Sequence, residues 1–233
     1  MNNYKKFINT LNYVNDLLRE NNIKNAIFFK DFKKGVNKYY GSNVDVYIKD
    51  EHDVLKIRNI LEKKGFRKEF FSFEYDKLMF FPPKENSVLV KIHIYPYMGW
   101  YTLRFPFLKD GFANNTIKQN GFLVLSDKAE VPLILFHAYF EDRVLPKYDI
   151  AHLRKIIKDN SFSLDDFKEV LSDEYLDKFI EIFNLFEGNH QEELKFTDNI
   201  NLFKFILKTK NRAINKLYYL LIHMLKILKI IRG

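Results

Sequence analysis

No cysteine occurs anywhere in the 233 residues, so a disulfide framework and thiolate metal sites are excluded. A thiol-free chain suits a reducing compartment, and the expected location is cytoplasmic. Glycine and proline are few, at 8 and 6 residues, and no Gly-rich loop of the P-loop kind is present. His52, His152, His190 and His223 show no metal-ligand spacing with one another, and no Ser-His-Asp order suggests a hydrolase triad. Long apolar runs are missing as well. The first residues, MNNYKKFINTLNYVNDLL, have apolar positions spaced for a helix, without the uninterrupted core of a signal peptide. Residues 217–231 are apolar but interrupted by His223, Lys226 and Lys229, too short and too charged to span a bilayer. Acidic residues are absent after Asp198.

That last absence explains the charge. The net charge is +8, and Lys204, Lys208, Lys210, Arg212, Lys216, Lys226, Lys229 and Arg232 follow Asp198. Those eight cations equal the whole excess, so the first 203 residues are balanced and the basic character belongs to a C-terminal element. Such an element suits an anionic membrane surface, with peripheral association, or an acidic partner; its alternative is a helix packed on its own domain with a solvated basic face. Base-edge readers have a sequence signature that is missing here, so specific binding to nucleic acid is not expected. Hydrophobic residues make up 47% of the chain, enough for the core of one medium domain or two small ones.

Periodicity divides the chain near residue 125. Phe7, Leu11, Val14, Leu17 and Leu18 fall on one face of a helix over 4–20. A short strand at 26–29 leads through a basic connection to Gly41-Ser42. Residues 43–48 then alternate, with Val44, Val46 and Ile48 opposite Asn43, Asp45 and Tyr47. Asp50 can cap a helix over 51–64 that stops at Gly65. Residues 67–81 suit a hairpin. In 88–94, Val88, Val90, Ile92 and Ile94 alternate with Leu89, Lys91 and His93. From 126 the pattern is helical: 127–141 behind Ser126, then 149–158, a helix begun by the Ser163/Asp166 capping box, 173–186, and further helix from 199. The expected class is α+β, a mixed α/β domain over 1–125 followed by a helical domain over 126–233 with a basic amphipathic end.

Two-metal phosphoryl transfer needs clustered carboxylates, and a strand supplies them at i and i+2 because those positions share a face. Gly41-Ser42-Asn43-Val44-Asp45-Val46 has that layout. The chain resembles nucleotidyltransferases of the DNA polymerase β type, which carry a Gly-Ser turn, then Asp-hydrophobic-Asp/Glu on a strand and a third carboxylate on a later strand. It is similar to uncharacterised bacterial and archaeal nucleotidyltransferase-like proteins. The match runs through Phe29-Lys30, Ser42 to Ile48, Ile60 to Phe66 and Val90 to Ile94, in that family's order. Leu133 to His137 and Lys147 to Ile150 resemble its helical half.

The resemblance implies a small mixed nucleotidyltransferase-like sheet flanked by helices. It implies Asp45 and Asn43 at the catalytic positions, Asp45 as metal ligand, and Gly41, Ser42, Lys91 and His93 against nucleotide or phosphate. Mg²⁺ and an NTP are the implied ligands. Two departures matter. Asn43 stands at the first carboxylate position and Lys91 at the third. Asn brings no charge to Mg²⁺. A lysine near the metal position repels it by several kcal/mol at ~4 Å and an effective dielectric of ~20, unless it takes the metal's place and binds phosphate itself. The expectation is a pseudoenzyme or weakly active enzyme that keeps a nucleotide- or phosphate-binding cleft. The alternatives are Mg²⁺-dependent transfer of a nucleoside monophosphate to a hydroxyl or phosphate, with Glu74 or Asp76 as second carboxylate, and a non-catalytic basic module docking on membrane or nucleic acid. Plainer readings make Asp45 a surface strand residue, His137 a core or interface histidine, Lys147 and Asp149 a salt bridge or cap, Tyr95, Tyr97, Trp100 and Tyr101 core packing rather than a base-stacking cluster, and Arg104 beside them a solvated arginine rather than a phosphate contact.

Overall fold

The computed structural model describes residues 3–29, 43–69, 77–85, 88–96, 99–100, 103–211 and 213–227. They form two compact units, the first Met1–Met98 with Thr116–Leu125, the second Gly99–Asn115 with Ser126–Gly233.

The first unit opens with α1 (Asn3–Glu20), whose Phe7, Leu11, Val14, Leu17 and Leu18 are all buried. Its end is set by Asn22 in the left-handed region, with the Ile23 amide donating to Leu18 O and the Asn22 amide to Arg19 O, the bond pair that satisfies the last carbonyls of a helix. Next come β1 (Ile27–Phe29), β2 (Asn43–Tyr47) and α2 (Glu51–Lys63). Asp50 caps α2 by accepting from the amides of His52 and Asp53, and Gly65, at φ +82°, turns the chain out of it. Strands β3 (Arg67–Lys68) and β4 (Leu78–Phe81) form the expected hairpin arms, and β5 is Lys91–Tyr95. The short hairpin β6 (Gly99–Trp100) and β7 (Leu103–Arg104) belongs to the second unit. The chain then returns with β8 (Thr116–Gln119) and β9 (Phe122–Leu125), joined by Asn120-Gly121 with both φ positive, as a two-residue type I′ hairpin turn requires.

Among the described residues these strands make one sheet in the order β3-β4-β5-β2-β1-β9-β8. One face carries the core: Phe28, Val44, Val46, Phe80, Ile92, Ile94 and Val124 pack with the apolar faces of α1 and α2. A buried Thr10 hydroxyl pins α1 to the sheet by accepting from the Val90 amide at 2.8 Å. The alternation expected from residue 88 begins only at Lys91. Leu89 joins the core cluster while Val88 is exposed, because the strand starts at 91 and nothing before it obeys the two-residue repeat.

The second unit centres on α3 (Asp127–His137), capped by Ser126 and buried on every side from Ala129 to Phe136, as a helix apolar all round must be. The helix expected to reach 141 changes character after His137. Ala138–Asp142 form a π-turn closed by Arg143 at φ +59°. There the Phe140 carbonyl accepts from the Tyr219 hydroxyl at 2.6 Å and faces His223 Nε2 at 2.8 Å, so it is engaged by side chains outside the helix. Around α3 lie β10 (Val144–Leu145), α4 (Lys147–Asn160), α5 (Leu164–Val170), α6 (Asp173–Glu187), β11 (Leu194–Lys195), α7 (Asn199–Lys208) and α8 (Ala213–Ile227). The Ser163/Asp166 capping box is present, and its bonds hold the Asp166 carboxyl below the usual range. Phe105, Phe107, Phe136, Phe140, Tyr175 and Phe179 interlock as an aromatic core. Among the described residues no helix is long and apolar enough to cross a membrane.

Candidate functional site

Strands β2 and β5 are direct parallel neighbours, with Asn43 beside Lys91 and Asp45 beside His93. The shared register puts all four on the sheet face opposite Val44, Val46, Ile92 and Ile94. Asp45 is buried to 4% exposure, so it is no surface strand residue. Its Oδ2 accepts from Asn43 Nδ2 at 2.8 Å, and its Oδ1 lies 3.2 Å from His93 Nδ1. With the carboxylate as acceptor, the donor in that pairing is Nδ1–H of His93. Buried charge is tolerated only with such partners.

Lys91 projects from the same face at the edge of this group. Its Nζ sits 4.8 Å from the centre of the Phe81 ring, the quadrupole of which holds an ammonium in place. Neighbouring strands supply the floor: Phe29 pairs with Asp45 across β1 and packs on Tyr95 at 5.1 Å. Tyr47 continues the row, and burial pushes its hydroxyl pKa up, which keeps it a neutral donor. Sequence reasoning missed Phe81 and Phe29. Their only signal is strand register, which no local pattern reports.

No protein-family model matches the sequence, and no curated protein matches it either. A solved structure does: the solution structure of the antibiotic-resistance factor ANT(2'')-Ia, an aminoglycoside nucleotidyltransferase, superposes with a TM-score of 0.52 at 12% identity, covering 82% of this chain and 98% of that one. The fold is nucleotidyltransferase-like. A mixed sheet flanked by helices, followed by a helical unit, is the expected α+β class.

A nucleotidyltransferase-like fold raises the question of metal. Mg²⁺ takes carboxylate, phosphate and water oxygens, and a two-metal site needs several carboxylates. Positions 43, 45 and 91 offer one carboxylate, one amide and one ammonium, and the Asp45 oxygens face N–H groups of Asn43 and His93. That donor set does not fit a catalytic Mg²⁺ pair. Gly41, Ser42, Glu74 and Asp76 lie outside the described residues, as do Tyr97, Tyr101 and the side chains of Trp100 and Arg104.

Among the described residues, three-member groups of His, Asp and Glu occur at Asp50/His52/Asp53 and His137/Glu141/Asp142, and Asp45 is in neither. The first is the α2 cap. In the second, His137 lies between the two carboxylates, at 2.8 Å from Glu141 and 3.1 Å from Asp142. Lys147 pairs with Glu192, a surface ion pair. Tyr95 is buried core at 2% exposure. A cleft of about 510 Å³ opens at the C-terminal end of α1, between Asn15, Arg19, Lys24, Asn25 and Gly121; none of Asn43, Asp45, Lys91 and His93 lines it.

Proposed function

We propose that this protein binds a nucleotide through its phosphates at Lys91 and His93, with Gly41 and Ser42 before them in the sequence and Asn43 and Asp45 at the catalytic positions the resemblance implies, and transfers nucleotidyl groups weakly or not at all. The observation that carries the reading is the pairing of Asn43 with Lys91 across adjacent parallel strands. The two positions where the resemblance expects carboxylates stand side by side, and hold an amide and a cation. Lys91 then supplies the positive charge that a metal would otherwise bring to the phosphates. Asn43 and His93 hold the buried Asp45 in one orientation and shape the floor.

Calorimetry with an NTP, in EDTA and then in Mg²⁺, tests this. Binding is expected to persist in EDTA. Lys91→Ala weakens it by about ten- to a hundredfold, the worth of a hydrogen bond to a charged group. NTP binding that requires Mg²⁺, together with transfer of a nucleoside monophosphate to a hydroxyl or phosphate acceptor, would replace this reading with the active enzyme. Absence of any NTP binding, with Lys91→Ala silent, would remove the nucleotide site altogether.

A further inference from the structure

Among the described side chains of α8, buried polar groups and exposed apolar ones stand on different sides. The side turned into its own unit is made by Tyr219 and His223, at 0% and 1% exposure, both on the Phe140 carbonyl. The outward side carries Leu217, Leu221 and Met224 at 63%, 50% and 51% exposure. Their spacing of four and three residues makes one continuous stripe. In α7, Leu202 and Ile206 are buried while Ile200 and Leu207 remain exposed beside exposed Lys204 and Lys208. The two helices are linked where Lys216 Nζ donates to Leu207 O at 2.8 Å. Core packing therefore does not account for the outward apolar residues, because two side-chain contacts to one carbonyl fix which side of α8 faces in.

We propose that the outward faces of α7 and α8 dock on an anionic lipid bilayer surface, lying in the interface without crossing it. Charge selects this partner. Eight Lys and Arg and no Asp or Glu follow Asp198, and Asp198 itself is occupied capping α7 through the Asn201 amide. A second copy of the same face would set those cations against one another. Single-stranded nucleic acid would meet the charge but wants aromatic faces for stacking, and the stripe is leucine and methionine. Aliphatic residues flanked by lysines and free of acidic ones suit the headgroup boundary, where apolar side chains enter the acyl region and ammonium groups meet phosphate.

The test is co-sedimentation of the full chain with phosphatidylcholine vesicles, with and without phosphatidylglycerol, at low and high salt, against a vesicle-free control. Wild type is expected to pellet with the anionic vesicles at low salt and to be released by high salt. Lys204→Gln/Lys208→Gln/Lys210→Gln lowers the partition coefficient by about a hundredfold, at about fivefold per cation. Leu217→Gln/Leu221→Gln/Met224→Gln lowers it by about tenfold or more while leaving the circular dichroism spectrum unchanged, since the three side chains are exposed. Equal, negligible pelleting with both lipids overturns the proposal. So does full retention of binding by the leucine–methionine variant, which would mean charge adhesion alone. So, too, does a wild-type dimer in light scattering that the same variant dissolves without any vesicle binding.

Discussion

Asn43→Asp/Lys91→Asp is expected to bind Mg²⁺ at least about a hundredfold more tightly than the wild type in calorimetry. Register is the reason. Asn43 and Lys91 are paired across β2 and β5, with Asp45 one step along the same face, so the variant gathers three carboxylates where the wild type has one. Each unit of charge changed from repulsive to attractive is worth about 4 kcal/mol at ~4 Å and an effective dielectric of ~20. The exchange changes three units, so even after strong screening a gain of about 3 kcal/mol remains. A second readout is independent of affinity. Three uncompensated carboxylates repel, so the metal-free variant should melt below wild type, and Mg²⁺ should restore its melting temperature by mass action. An unchanged Mg²⁺ affinity together with an unshifted melt would show that this face never had the geometry of a metal site.

Phe136→Ala should destabilise the helical unit by about 3–5 kcal/mol. The ring is fully buried, with neighbouring ring centres at 5.3 Å for Phe107, 5.6 Å for Phe140, 6.0 Å for Tyr175 and 5.9 Å for Phe179. Neighbours drawn from the π-turn, α6 and the segment before α3 cannot all close on the gap. A domain has only about 5–15 kcal/mol to lose, so the urea midpoint of this unit should fall steeply. The single tryptophan, Trp100, belongs to the same unit and supplies the fluorescence signal. Leu217→Gln on the outward face of α8 is the matched control and should stay within about 0.5 kcal/mol. Equal midpoint shifts for the two variants would contradict the assignment of inner and outer sides.

Local rules made much of this legible. The α1 stripe, the Asp50 and Ser126 caps, Gly65 and the Ser163/Asp166 box are each decided by a few neighbouring residues, and each is found. The alternation of 43–48 against 91–94 put Asn43, Asp45, Lys91 and His93 on matching faces, though only pairing of the two strands brings them together. What escaped was non-local. Leu89 left its expected face because the strand starts late, and Phe81 reaches Lys91 through register. The π-turn depends on Tyr219 and His223, some eighty residues downstream of Phe140. In the tail, periodicity marked an amphipathic helix and left open which side faces inward. Hydrogen-bond partners for the Phe140 carbonyl, Tyr219 and His223, settle it.

The interleaving of the two units also bears on how the molecule is made. Strand β1 lies between β2 and β9, and its partner on the β9 side, Val124, emerges roughly a hundred residues after Phe28. A nascent chain released as far as Met98 holds β5, β2 and β1 but not the strand that covers the far edge of β1. Until then a three-residue row of wholly buried-type side chains, Ile27, Phe28 and Phe29, presents open backbone groups, the kind of edge that recruits foreign strands. The β8–β9 hairpin, closed locally by the Asn120-Gly121 turn, works as a late-arriving cover for that edge. Because the chain passes between the units at 98/99, 115/116 and 125/126, no single cut frees both units whole. A protease that nicks one passage leaves two fragments that share at least one unit between them, held together by that unit's own pairing and packing.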